Sequence, residues 1–261
     1  MKRVFVCIEY PPDTNGGIGT CTKELAGLMV PTLSAFQNDS TRLGAAFRRA
    51  VRLVAFVGCP MAAGLALTAT EAVRLVYGEA WSPVAPMLMW LSIAGLSQPI
   101  YNTTGWLFTA TGRARAYFGL TLINGFVLAG VFLWAAPRGA LAVSMAYGLV
   151  MGIVLLLPSL WTAHRAAGIR LRHTLADLWP VLLAVLIMAA AVYGAGVVMD
   201  WARMDWRSTL AAKVAVGVLT YLVAARCLLV RMLNDDLIRM LPGRFAVRLR
   251  RALLLEREGL K

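Results

Sequence analysis

The stretch YGEAWSPVAPMLMWLSIAGLSQPIYNTTGWLFTATGRAR, Tyr77 to Arg115, decides the fold. No charged residue stands between Glu79 and Arg113. An uncharged tract of that length exceeds the roughly 20 apolar residues with which a helix crosses a bilayer. It therefore reads as a membrane span with something added. Trp81, Pro83 and Pro86 stand at its start, where the N–H that proline lacks has no helical partner to lose. Gly112-Arg113-Ala114-Arg115 closes its far end. Midway, Gln98-Pro99 precedes Asn102-Thr103-Thr104. Pro99 leaves a carbonyl one turn earlier without its donor, and polar neighbours can satisfy such a group. Uncharged polar side chains at this depth face either a partner helix or a wet cavity. Both readings stay open for Gln98, Asn102, Thr103 and Thr104.

Composition agrees with the tract. Of 261 residues 59% are hydrophobic, above the roughly 45–50% of soluble domains. The net charge of +13 does not point to nucleic acid, because the arginines fall in short clusters between apolar runs, as in the cytoplasmic loops of membrane proteins. Cys7, Cys21, Cys59 and Cys227 show no paired or metal-ligand spacing. His164 and His173 flank a basic loop and read as solvated side chains. No metal and no cofactor is implied.

Residues 1–29 differ from the rest. Val4 to Ile8 reads as a short strand ending at Pro11-Pro12, and Gly16-Gly17-Ile18-Gly19 opens a helix from about Thr20 to Met29. The Pro-Pro…Gly-Gly-x-Gly pattern resembles the start of nucleotide-sugar-dependent glycosyltransferases, whose glycines let backbone N–H groups approach a phosphate. A lone βα unit cannot build a parallel sheet, and no donor-sugar domain follows. No transferase activity is assigned.

Beyond residue 30 six spans follow. The first runs from Leu53 to Thr70 after a basic approach with Asp39 or Ser40 as its N-cap. The central tract is the second. Ala116 to Pro137, Gly139 to Ala163 and Leu178 to Met199 are the next three. The sixth, about Ser208 to Ala225, is weakened by Lys213, which reads as snorkelling from a helix end. The chain is thus expected to be an all-α membrane protein: a βα fragment at 1–29, a six-helix transmembrane lobe at 30–230 and a basic tail at 231–261. That tail reads either as an amphipathic helix on anionic lipid or as a solvated helix. Arginine and lysine divide 18 against five between the two sides, the larger share including Arg52, Arg113, Arg115 and Arg170. The positive-inside rule makes both termini cytoplasmic.

Residues from about Pro31 to Arg231 resemble the C-terminal half of bacterial polysaccharide exporters of the Wzx type, in the multidrug/oligosaccharidyl-lipid/polysaccharide flippase superfamily. The resemblance is carried by PTLSAFQND (31–39) and the arginine-rich helix after it, and by Pro60 before Gly64. VYGEAWSPVAPMLMWLSIAGLSQ (76–98) and ATGRAR (110–115) complete it, in the family's order. It implies movement of an undecaprenyl-pyrophosphate-linked oligosaccharide, as in lipopolysaccharide O-antigen export, across the bacterial inner membrane. Members carry 12 or 14 spans in two lobes with a cavity between them, so six spans imply one lobe of the flippase fold. The other would be a missing N-terminal lobe or a second copy.

No catalytic constellation is found. No acid lies inside a span, Glu71 and Asp177 being at span ends, and no deep histidine completes a triad. That suits a transporter more than an enzyme. The candidate substrate path is Gln98, Asn102, Thr103 and Asn124, with Leu107 read as lipid-facing. Arg52, Arg113 and Arg115 are candidate contacts for an anionic headgroup, or plain topology determinants. A truncated membrane-associated glycosyltransferase and a peptidoglycan lipid-intermediate flippase are the alternatives.

Overall fold

The structure is a computed structural model that describes residues 30, 33–37 and 39–240, with side chains through residue 228. The expected βα unit and the last 21 residues of the tail lie outside the described residues. Six long helices and one short one follow each other: α1 Ser40–Leu67, short α2 Ala69–Tyr77, α3 Ala85–Ala110, α4 Ala114–Ala135, α5 Ala140–Ala167, α6 Leu171–Trp201 and α7 Trp206–Met240. No strand occurs among the described residues. The chain is an all-α, multi-pass membrane protein.

Local sequence sets the boundaries. Asp39 caps α1, its side chain accepting from the backbone N–H of Thr41 and Arg42 at 3.0 and 3.1 Å. Gly112 (φ 68°) and Gly168 (φ 70°) turn the chain after α3 and α5 in the left-handed region, which only glycine enters without a steric cost. Inside α5, Pro158 has no N–H for the carbonyl of Val154 and crowds it. The helix widens there into a π-turn over Val150–Leu155. Beyond α6, α7 runs on to Met240, past the boundary expected at 230.

Register pairs fix the topology. Gly58 faces Pro99 and Ala62 faces Gly95, so α1 and α3 are antiparallel. Tyr117 of α4 lies over Gly105 of α3, and Asn124 bonds Tyr101, so α4 runs back along α3. Trp90 meets Gly148, and Asn124 also reaches Ser159, so α5 runs parallel to α3. Val192 packs on Gly217 and Lys213 on Gly196, making α6 and α7 an antiparallel hairpin. The core lies where α1 meets α3, the end of α5 and the α6–α7 hairpin, around Phe47, Val51, Leu107, Leu160 and Val181. Large apolar side chains cover the outside, among them Phe126, Leu133 and Val223, as a surface facing lipid requires.

Among the described residues five helices are long and apolar enough to cross a membrane: α1, α4, α5, α6 and α7. The central α3 has the length, 26 residues, but it carries Ser92, Ser97, Gln98, Asn102, Thr103, Thr104 and Thr109. It is wrapped by α1, α4 and α5, so protein replaces lipid around most of its surface.

Candidate functional site: the open face of α3

On α3, Leu91, Gln98 and Thr109 are exposed and Asn102 is half-buried. Steps of seven, four and seven residues place them on one helix face. That face is bordered by α1, through Gly58 against Pro99 and Gly95 against Ala62, and by α4, through Tyr117 above Gly105. The Cys59 Sγ of α1 donates to the Leu96 carbonyl at 3.4 Å, beside the turn that Pro99 loosens. Gln98 and Asn102 thus form an uncharged polar strip on this open face, while Val57 and Met61 of neighbouring α1 are exposed apolar side chains.

The four expected path residues separate. Gln98 and Asn102 lie on the open face. Thr103 is fully buried and donates to the Ile100 carbonyl of its own helix at 2.6 Å. Asn124 is buried as well: its Nδ2 donates to the Tyr101 hydroxyl at 2.9 Å and to Ser159 Oγ at 3.1 Å. It joins α3, α4 and α5. Leu107, expected to face lipid, has 0% exposure and belongs to the core, because α3 turns that side toward α1.

The three arginines separate too. Arg113 and Arg115 stand exposed on the α3–α4 turn. Arg52 is buried on α1, its Nη2 3.1 Å from Asp177 Oδ2 of α6, and Arg48 Nε reaches the same oxygen at 2.9 Å. This cluster docks α1 on α6 at the end of the bundle that holds both arginine turns.

Two groups were misread from sequence. Lys213 does not snorkel to solvent. Its Nζ lies 2.5 Å from Glu71 Oε1 of α2, and both side chains are largely buried. His164 is not solvated but 1% exposed. Its Nδ1 is 2.7 Å from the Leu160 carbonyl, which can only accept, so Nδ1 carries the proton and Nε2 accepts from Thr174 Oγ1 at 2.8 Å. Phe47 meets the ring edge-on at 5.3 Å. An i,i+4 bond and a partner ten residues on leave no sequence signature. Among the described residues no three histidine, cysteine or acidic side chains gather as a metal site.

Comparison with known proteins places this architecture. Residues 18–86 match the model of a family described as polysaccharide biosynthesis protein. The match starts inside the segment read as a glycosyltransferase-like fragment, for which the comparisons offer no support. The lipopolysaccharide biosynthesis protein WzxC of Escherichia coli strain K12 is 25% identical over 173 residues, 66% of this chain and 35% of that protein. The chain is also 26% identical over 191 residues to the teichuronic acid biosynthesis protein TuaB of Bacillus subtilis strain 168, covering 72% of the chain and 38% of TuaB. The succinoglycan biosynthesis transport protein ExoT of Rhizobium meliloti strain 1021 is 25% identical over 167 residues, 64% of the chain and 34% of ExoT. The chain thus spans about a third of the length of these curated relatives. No solved structure matches it.

Proposed function

We propose that this bundle is one lobe of a flippase for lipid-linked oligosaccharide in bacterial surface polysaccharide biosynthesis. The observation that carries the reading is the open face of α3: an uncharged, hydrogen-bonding floor of Gln98 and Asn102 in an otherwise apolar membrane surface. A sugar crossing a bilayer needs donors and acceptors in place of water, and fixed charges would hold it too tightly to release it. A second six-helix body facing this polar strip would enclose it in a cavity; in the purified chain that body is a second copy. The moved lipid is an undecaprenyl-pyrophosphate-linked oligosaccharide. Arg113 and Arg115, exposed at the α3–α4 turn, meet its diphosphate, as guanidinium groups suit a phosphate. Arg52 holds α1 in place through Asp177. The lobe sits in the inner membrane with both termini cytoplasmic, as the arginine distribution favours.

The test is reconstitution. Liposomes carrying the chain and an isoprenoid-diphosphate-linked oligosaccharide are treated from outside with a glycosidase. Sugar from the inner leaflet should become cleavable faster than in protein-free liposomes. Equal rates with protein correctly inserted overturn the proposal.

A further inference from the structure

Glu71 and Lys213 form a buried ion pair that no transport step described above uses. Glu71 sits on the short helix α2 and is 8% exposed. Its Oε1 is 2.5 Å from Lys213 Nζ, 142 residues away, while its Oε2 is buried with no hydrogen-bond partner. The ammonium also points toward the Leu67 carbonyl, 3.5 Å away, at the end of α1. Lys213 runs close over Gly196 of α6: a Cβ there would lie 2.8 Å from Lys213 Cε, so a larger residue would make the lysine side chain shift. The pair therefore ties α1, α2 and α7 together across a slot in α6. Lys213 lies seven residues into α7 from Trp206, about 10 Å along the helix axis.

A pair at this depth is a poor stabiliser, because the desolvation of two charges offsets most of their attraction. What it does supply is two states, joined or parted, and a charged group inside a membrane span is by default a functional one. Besides Glu71, α2 buries Ala69 and Val73. It is nine residues long, joined to α1 at Thr68 and to α3 through a 3-10 turn at Glu79–Val84. That connector sets the spacing between α1 and α3, which border and carry the open face.

We infer that the Glu71–Lys213 pair is a latch that keeps α2 seated on the α6–α7 hairpin, and that parting it opens the Trp206 end of the bundle. The latch gains its transport meaning from the flippase reading, but its opening is measurable without transport. The reporter is cysteine in place of Val73, which is 1% exposed on α2, in the full chain with its four native cysteines replaced by alanine. A second reporter replaces Val181, 0% exposed in the α6 core. Each is exposed to a small water-soluble thiol reagent in nanodiscs. In E71Q/K213M, which leaves no buried charge unpaired, labelling at 73 should rise at least tenfold while labelling at 181 stays at the parent rate. The exchanged pair E71K/K213E should return position 73 toward the parent rate. No rise at 73, or an equal rise at both positions, overturns the latch. Failure of reconstituted flipping with these labelling results intact would remove the flippase reading alone.

Discussion

The Asn124 side chain of α4 donates to the Tyr101 hydroxyl of α3 at 2.9 Å, and its second N–H reaches Ser159 of α5 at 3.1 Å. Only Asn124 and Ala135 of α4 are buried, so this node is the main polar fastening of an otherwise lipid-exposed helix. Hydrogen bonds between membrane helices contribute roughly 0.6 kcal/mol each, seldom above about 1.7. Asn124→Leu removes both and should cost about 1 kcal/mol in reversible detergent unfolding. Tyr101→Phe should cost about half as much. A double variant losing no more than Asn124→Leu alone confirms that the two side chains share one interaction.

Close approach of α3 and α5 rests on Gly148. A Cβ there would lie 2.7 Å from the Trp90 carbonyl oxygen, a backbone atom that cannot step aside. Gly148→Ala should therefore destabilise the bundle by about 1–3 kcal/mol. Gly152, four residues on along the π-turn, has nothing within 4 Å of its absent Cβ. Gly152→Ala should change stability by less than about 0.5 kcal/mol. Equal losses for the two would show that the helices do not meet at Gly148.

Much of this was legible in the chain because membrane helices announce themselves by length. The tract between Glu79 and Arg113 marks α3, and Gly112 marks the turn that ends it. Rotation about each axis was less legible. A helix apolar on nearly every side offers no periodicity to distinguish Leu107 in the core from Leu133 in lipid, at 0% and 78% exposure. Partners distant in sequence were equally hidden. Lys213 stood out as a defect in its span, yet nothing near it named Glu71. Asn124 was singled out as polar at depth, but only the packing of α4 on α3 and α5 shows it bonded to Tyr101 and Ser159.

The arginines favour one orientation in the membrane. The two glycine turns hold Arg113, Arg115, Arg165, Arg170 and Arg172 at the end of the bundle where α1 begins. Cysteine at Arg113 or Arg170 should label in cells only after permeabilisation of the inner membrane, and cysteine at Ser82 or Arg203 without it. The opposite pattern would reverse the bundle in the membrane and move the proposed diphosphate contacts to the outer side.

Gln98 and Asn102 decide whether the open face of α3 is wet. Both side chains carry two N–H donors and a carbonyl acceptor, and leaving such a group unbonded in hydrocarbon costs several kcal/mol. Asparagine is too short to reach the interface, so water, sugar or a facing protein lobe must satisfy it. In the cysteine-free chain, cysteine at 98 or 102 should react with a small water-soluble thiol reagent in nanodiscs. Cysteine at Leu133, exposed to lipid, should react at least tenfold more slowly, and cysteine at Leu107 should stay unreactive because it is in the core. An added isoprenoid-diphosphate-linked oligosaccharide should slow the reaction at 98 and 102 and leave that at exposed Arg203 unchanged. Should positions 98 and 102 prove as inert as 133, the face is dry, and the two amides serve only to bond a neighbouring helix.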